Sequence, residues 1–181
     1  MKKRSSILIF ILFFAIGSIW GKKYSSSEET ISVKEVIPFV YCGIKQKGPY
    51  TEIPNVIQML MSVSRSQNIF PSGAIFGIYY NSPGEVKAED LEWEIGFPVT
   101  PQVFAQAPLE LKRWNYTTVV CIIHSGSYEE IGNTILKMFK WMEENNLSQD
   151  GPLLERYLTM PSPEIQPQNL KTEIWIPCKK K

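Results

Sequence analysis

The sequence predicts an α+β domain with pseudo-two-fold symmetry, in which two helices pack on an antiparallel sheet and a central groove lies between the halves. The first observation is an internal repeat, whose identities are 78 residues apart and, later in the chain, 79 residues apart. Two copies are too few for a solenoid, so each half should cover the other. The paired identities are Gly48/Gly126, Tyr50/Tyr128, Ile53/Ile131, Ile57/Ile135, Gly73/Gly151, Tyr79/Tyr157 and Pro83/Pro161, then Leu91/Leu170, Glu94/Glu173, Ile95/Ile174 and Pro98/Pro177.

The second observation is that both halves, at about 31–98 and 117–178, show the order strand, helix, strand, strand. Apolar residues at i, i+3, i+4, i+7 and i+8 from Ile53 predict an amphipathic helix in the first half. Segments rich in β-branched and aromatic residues predict the strands. The predicted strands are 31–44, 74–80 and 91–97, and then 117–124, 153–160 and 171–178; a second helix is predicted at about 128–145. Residues 99–116, rich in Pro and Gln, are predicted to connect the halves.

The N-terminal segment has the pattern of an export signal. Three basic residues at 2–4 precede an apolar stretch, 7–21, which as a helix would extend roughly 22 Å. That is short of the roughly 30 Å hydrocarbon core of a bilayer, although no clear cleavage site follows. We therefore interpret residues 1–23 as a signal peptide or a membrane anchor, 24–30 as a linker and 31–178 as the domain. Either alternative places the domain outside the cytoplasm, in the periplasm or extracellular space.

Composition excludes several classes of function. Residues 1–23 hold five of the 19 Lys and Arg and no acidic residue, so the remainder has 14 basic against 18 acidic residues. This balance does not predict nucleic-acid binding. One histidine, His124, and scattered cysteines do not make a metal site, and no cofactor is expected. We predict buried thiols at Cys42 and Cys121 on paired strands, with a disulfide between them as the alternative.

Two glutamates and three aromatic residues are the candidate ligand-binding residues. Glu94 and Glu173 occupy equivalent positions in otherwise apolar final strands, and Trp175 shares the face of Glu173 because side chains alternate along a strand. Tyr79 and Tyr157 occupy equivalent positions on the middle strands. A carboxylate flanked by aromatic faces attracts a flat cation through charge and cation–π attraction.

The pattern resembles the GyrI-like domain, the effector-binding domain of bacterial transcription activators. The resemblance covers about residues 31–178 and is carried by the duplication and three segments, 124–131, 151–157 and 172–177. It implies two α+β modules side by side and a groove for amphipathic, often cationic aromatic compounds. A glutamate at the base of that groove would correspond here to Glu173. A helix-turn-helix region is not predicted from this sequence, so we do not expect a transcription activator.

These features favour a non-enzymatic module that binds a small amphipathic, cationic or aromatic molecule outside the cytoplasm. Two alternatives remain open. The same groove could receive a peptide or loop of a protein partner. Alternatively, since some GyrI-like relatives hydrolyse strained alkylating compounds, Glu173 could act as a base. An uncleaved N-terminal segment would add the membrane as a partner.

Overall fold

The computed structural model describes residues 30–160 and 164–181, which form two helices and nine antiparallel strands. The helices are α1 (Ile53–Ser66) and α2 (Ile131–Glu144). The strand order is β1-β6-β9-β8-β3-β4-β2-β5, and β7 pairs with β9. The strands are β1 (Ser32–Glu35), β2 (Phe39–Lys47), β3 (Phe76–Tyr79), β4 (Glu92–Pro98), β5 (Glu110–Trp114), β6 (Thr118–Ser125), β7 (Leu147–Gln149), β8 (Leu153–Tyr157) and β9 (Lys171–Lys180). The predicted α+β class is confirmed.

The pseudo-two-fold axis passes between the central strands β3 and β8. Strands β3, β4 and β2 on one side correspond to β8, β9 and β6 on the other. In the antiparallel β3–β8 register, Gly77 lies opposite Glu155. These residues are also 78 positions apart, so they are equivalent in the repeat and the axis passes between them. At the centre of the sheet, β3 therefore carries a glycine and β8 carries a glutamate at equivalent positions.

The repeated residues adopt matching local conformations. Gly48 and Gly126 both have positive φ, 128° and 149°, a region that favours glycine. Their amides donate hydrogen bonds to the equivalent carbonyl oxygens of Leu91 and Leu170, at 2.9 and 3.0 Å. A 3₁₀ turn then leads into α1 or α2, whose first residues are 78 positions apart. The repeat thus fixes the direction in which each helix leaves the sheet.

The sheet separates two kinds of core. On one face, the apolar side of α1 packs over Trp93 and Ile95 of β4, while α2 packs over Ile174 and Ile176 of β9. The opposite face has a third cluster, formed by Tyr41, Phe76, Ile78, Trp114, Val119, Leu154 and Trp175. We call these the helix face and the back face. Because side chains alternate along each strand, neighbouring residues are assigned to opposite faces.

Four details differ from the sequence-based prediction. The segment 31–44 is two strands, because Pro38 lies between β1 and β2. β1 then pairs with β6 of the other half. The predicted connector contains strand β5, which pairs with β2, and β7 was not predicted.

The cysteines are thiols, as the sequence predicted, but Cys42 and Cys121 do not lie on paired strands and Cys121 is only partly buried. Cys42, Cys121 and Cys178 are free thiols, so no disulfide joins Cys42 to Cys121. These two cysteines lie on β2 and β6, which are equivalent but not paired, with four strands between them in the sheet order. They also belong to opposite faces, since Cys42 is in the α1 core and Cys121 packs against the back-face cluster.

Residues 1–23, interpreted as a signal or anchor, and linker residues 24–29 lie outside the described residues. Within 30–160 and 164–181, neither helix has the length and apolar character required to cross a membrane.

Candidate functional site

A cleft of about 920 Å³ opens on the helix face between α1 and α2. Its floor is the central strand pair, β3 and β8, and its walls are the first turns of both helices with the loop that follows β3. Its lining residues among those described are Tyr50, Ile53, Pro54, Ile57, Gln58, Tyr79, Tyr80, Asn81, Ser82, Pro83, Glu85, Tyr128, Ile131, Gly132, Ile135, Phe139, Gln149, Leu153, Glu155, Tyr157 and Met160. The predicted central groove is therefore present.

Most of the apolar lining occurs twice, once from each half. Four pairs of identical residues, 78 positions apart, contribute to the walls and floor: Tyr50/Tyr128, Ile53/Ile131, Ile57/Ile135 and Tyr79/Tyr157. The duplication of the sequence therefore gives the cleft two equivalent apolar walls.

The floor of the cleft contains one carboxyl group, that of Glu155. This residue is 9% exposed and accepts a hydrogen bond from the hydroxyl of Tyr79 at 3.1 Å. The hydroxyls of Tyr79 and Tyr157 are in turn 2.8 Å apart. If Tyr79 donates to Glu155, then the Tyr157 hydroxyl donates to the oxygen of Tyr79. The three side chains form one hydrogen-bonded group at the pseudo-two-fold axis.

Gly77 makes room for this group. A Cβ atom at this position would lie 2.7 Å from the Tyr79 hydroxyl and 2.8 Å from the Tyr157 hydroxyl. Both oxygens therefore occupy the space that a side chain at position 77 would need. The two halves differ at this position: the glycine of the first half leaves space for both tyrosine hydroxyls, and the Tyr79 hydroxyl donates to the glutamate of the second half.

Further aromatic rings hold the tyrosines in place. Tyr50 makes an edge contact with Tyr79 at 5.1 Å between ring centroids, and Tyr128 makes the equivalent contact with Tyr157 at 5.9 Å. Such perpendicular contacts suit the quadrupoles of aromatic rings. Each wall of the cleft therefore has a tyrosine, Tyr50 or Tyr128, in contact with a tyrosine of the floor.

Burial changes the acid–base properties of the floor. Removal from water raises the pKa of Glu155 to about 7, although the hydrogen bond from Tyr79 acts in the opposite direction. Burial and then the charge of Glu155 raise the pKa of Tyr50 to about 12 and raise the pKa of Tyr79 and of Tyr157 as well. At neutral pH the tyrosines are thus protonated donors, while Glu155 exchanges its proton near neutrality.

No cation of the described chain neutralises Glu155. None of the ion pairs among residues 30–160 and 164–181 includes it. The described lining of the cleft contains two carboxylates, Glu85 and Glu155, and no Lys, Arg or His. A buried carboxylate without a partner is costly, so the site favours either a proton or a cationic ligand.

Glu94 lies on the back face rather than in the cleft. It is fully buried, and its carboxylate accepts hydrogen bonds from the hydroxyls of Tyr41 and Tyr80 and pairs with Lys112 at 2.6 Å. The neighbours on this strand that point to the helix face, Trp93 and Ile95, are buried in the core beneath α1. The expectation that Glu94 lines the groove is therefore corrected by the alternation of β4.

Glu173 and Trp175 also lie on the back face. Glu173 pairs with Lys34 at 3.0 Å and with Arg156, and both cations lie over the ring of Trp175. Burial alone would raise the pKa of Glu173, but the Lys34 hydrogen bond and the charge of Arg156 outweigh burial and lower it. The glutamate at the base of the groove is thus Glu155, not Glu173, since the cleft opens on the face of Ile174 and Ile176.

Tyr79 and Tyr157 do line the cleft, and their contact with a ligand stays a prediction. Glu155 was missed because its equivalent in the repeat is Gly77, so it does not stand out as a repeated identity. Strand alternation could have found it, because Glu155 is two residues before Tyr157 and must share its face. Among the described residues, no cluster of three potential ligands could hold a metal ion.

The fold and cleft define a duplicated α+β domain with a central apolar site and one buried acid. A family model for the GyrI-like small molecule binding domain matches residues 29–179. The chain therefore belongs to the GyrI-like family of small-molecule-binding domains. A comparison with curated protein sequences found no match.

Solved structures support the same fold. The C-terminal domain of EcmrR superposes with a TM-score of 0.76 at 17% identity, over 85% of this chain and 99% of that one. A hydrolase from Listeria innocua gives 0.60 at 16% identity, over 87% and 96%. SAV2435 bound to tetraphenylphosphonium gives 0.53 at 13% identity, over 83% and 94%. At these identities the similarity shows the fold alone.

The EcmrR chain in a complex with DNA superposes with a TM-score of 0.75 at 17% identity, over 84% of this chain. This chain covers 58% of that longer one. The similarity therefore concerns the part of EcmrR that shares this fold.

Proposed function

We propose that the cleft reversibly binds a small amphipathic cation with aromatic or aliphatic groups, and that Glu155 is its counter-ion. The observation that carries this proposal is the buried Glu155 carboxyl group, which has tyrosine neighbours but no cationic partner among the described residues. The apolar walls would bind the body of the ligand and the floor would bind its charge. The tetraphenylphosphonium complex of the structurally similar SAV2435 is consistent with this ligand class.

The charges and the aromatic rings of the cleft both favour a cation over a neutral or anionic molecule. An anion would be repelled by Glu85 and Glu155, the only ionisable acids or bases among the described lining residues apart from tyrosines. A neutral ligand would leave Glu155 to retain its proton. A cation replaces that proton and also interacts with the faces of surrounding tyrosine rings, an attraction worth about 0.5–2 kcal/mol for each well-placed ring.

Titration of a rhodamine-type cation into the full chain, followed by fluorescence anisotropy, tests the proposal. We expect wild type to bind and Glu155→Gln to bind at least tenfold more weakly, which corresponds to about 1.4 kcal/mol. Glu173→Gln is the matched control, since it removes a carboxylate of the other face and should leave the dissociation constant within about twofold. Equal loss in both variants, or retention in Glu155→Gln, contradicts the assignment.

Hydrolysis is a second candidate, because a carboxyl group with a pKa of about 7 beside a tyrosine hydroxyl can serve as a general base. A structural neighbour from Listeria innocua is named a hydrolase. In this reaction Glu155 would take a proton from water as the water attacks a ring carbon, and a tyrosine hydroxyl would donate a proton to the ring oxygen or nitrogen as its bond to that carbon breaks. Turnover of an epoxide or aziridine probe that is lost in Glu155→Gln would establish it; unchanged probe after incubation would rule it out.

We also propose that the domain acts outside the cytoplasm. Support comes from the sequence of residues 1–23, where basic residues precede an apolar stretch. A C-terminal fusion to alkaline phosphatase, which is active only after export, tests this location. Activity that depends on residues 1–23 is expected, and activity equal to that of a fusion lacking them contradicts the proposal.

A further inference from the structure

Glu155 lies beside the pseudo-two-fold axis, at the centre of the cleft floor. Gly77 and Glu155 are opposite each other in the β3–β8 register and equivalent in the repeat. A carboxyl group beside this axis lies between the two halves of the lining. The negative charge is therefore central, and apolar surface extends from it in two opposite directions.

These two apolar surfaces are chemically the same. One consists of Tyr50, Ile53 and Ile57 at the start of α1, and the other consists of Tyr128, Ile131 and Ile135 at the start of α2. We call them the α1 wall and the α2 wall. The residues of the α1 wall and of the α2 wall are 78 positions apart, as are the first residues of the two helices. The two walls therefore lie at equivalent positions relative to the pseudo-two-fold axis.

We propose that the cleft selects cations whose charge lies at the centre of the molecule between two apolar arms. One arm contacts the α1 wall, the other contacts the α2 wall, and the charged centre lies over Glu155. This inference rests on the proposed function and adds the shape of the ligand. A linear amphiphile with its charge at one end is the disfavoured alternative.

The selectivity follows from the area that each shape can bury. A terminally charged ligand that places its charge at Glu155 extends its apolar part along one wall and leaves the other wall in water. A centrally charged isomer has the same composition but covers both walls. Since burial of apolar surface is favourable at about 25 cal/mol per Å², covering a second wall with one phenyl ring should tighten binding by about tenfold or more.

Two isomeric cations provide a matched test. Dibenzyldimethylammonium has its nitrogen between two benzyl arms, whereas (biphenyl-4-ylmethyl)trimethylammonium has the same atoms with the nitrogen at one end. Isothermal titration of both into the full chain measures the two dissociation constants under one condition. We expect the dibenzyl isomer to bind at least about tenfold more tightly, and both isomers to weaken in Glu155→Gln.

Variants of the two walls provide an independent measurement. Ile57→Ala removes apolar surface from the α1 wall, and Ile135→Ala removes it from the α2 wall. The two isoleucines are equivalent in the repeat and both are partly buried. Each substitution should weaken the dibenzyl isomer by a similar factor of about three to ten, because each arm loses contact area. The biphenyl isomer should lose affinity in only one of the two variants.

The outcomes separate this inference from the proposed function. If the isomers bind equally, or if the dibenzyl isomer is sensitive to one wall only, while Glu155→Gln still weakens both, then the shape selectivity is wrong and the cation site stands. If neither isomer binds, or if both bind unchanged to Glu155→Gln, then the cation site itself is wrong. Tighter binding of the dibenzyl isomer with similar losses at both walls supports the inference.

Discussion

Gly77 and Glu155 face each other across the central strand pair, although they are equivalent residues of the two halves. A glutamate at both positions would place two carboxyl groups side by side at the axis, where like charges in a buried site oppose ionisation. A glycine at both positions would remove the charge. The observed difference keeps one acid, which accepts a hydrogen bond from Tyr79, and the Tyr79 hydroxyl in turn contacts that of Tyr157. The two halves therefore differ at the centre of the cleft floor, where one carboxyl group lies beside the pseudo-two-fold axis.

The first prediction concerns stability and pH. The pKa of Glu155 is raised from 4.5 to about 7 in the fold, so the folded state binds this proton more tightly than the unfolded chain. Its contribution to the free energy of unfolding therefore falls as pH rises from about 4.5 to about 7, by about 3 kcal/mol at 1.36 kcal/mol per pKa unit. Glu155→Gln should remove this dependence.

Urea denaturation of wild type and Glu155→Gln at pH 4 and pH 8 measures the effect. We expect the variant to gain about 3 kcal/mol relative to wild type between these two conditions. A difference that stays constant with pH would show that burial does not perturb this carboxyl group.

The second prediction concerns Gly77. In Gly77→Ala the new methyl group must displace the Tyr79 and Tyr157 hydroxyls, which would otherwise lie within 2.8 Å of it. Overpacking of this kind costs about 1–3 kcal/mol of stability. Gly132→Ala is a matched control, because nothing lies within 4 Å of its added Cβ and alanine favours the helix. Thermal unfolding should therefore show a lower Tm for Gly77→Ala and an equal or higher Tm for Gly132→Ala.

The sequence predicted the architecture well because duplication leaves identities wherever local geometry is demanding. Gly48 and Gly126 recur since both require positive φ, and the two helices begin at equivalent isoleucines. The edge strands were harder to predict. Strand β5 lies in a Pro-rich segment without strong alternation, and β1 departs from the repeat by pairing across to the other half.

The candidate site was only partly predictable, for a physical reason. Strand alternation correctly separated Glu173 from Ile174, but the sequence does not say which face a helix covers. The apolar faces of β4 and β9 pack beneath α1 and α2, and the cleft opens between those helices on the same side. Repeated identity therefore pointed to Glu94 and Glu173, which form ion pairs on the back face, while the acid on the cleft floor, Glu155, is not repeated.

The third prediction separates the roles of the two floor tyrosines. The Tyr79 hydroxyl contacts Glu155 directly, whereas the Tyr157 hydroxyl contacts only Tyr79 among the hydrogen bonds of this group. Tyr79→Phe should raise the pKa of Glu155 further, because the hydrogen bond that favours its ionised form is lost. Tyr157→Phe should raise it less. Carbon-13 NMR titration of the Glu155 carboxyl measures both shifts, and an equal or reversed order would contradict the arrangement.

The last prediction concerns Glu173, whose pKa shift has the opposite sign. Lys34 and Arg156 lower its pKa below the usual range, so its stabilising effect is present above its ordinary pKa and is lost as pH falls through the folded value. Glu173→Gln should therefore destabilise the protein by about 1 kcal/mol at pH 8, a modest amount because both cations remain partly exposed. The difference from wild type should shrink in acid. Urea denaturation of wild type and Glu173→Gln at pH 4 and pH 8 measures this difference. A loss of stability in the variant that is larger at pH 4 than at pH 8 would contradict the ion-pair account.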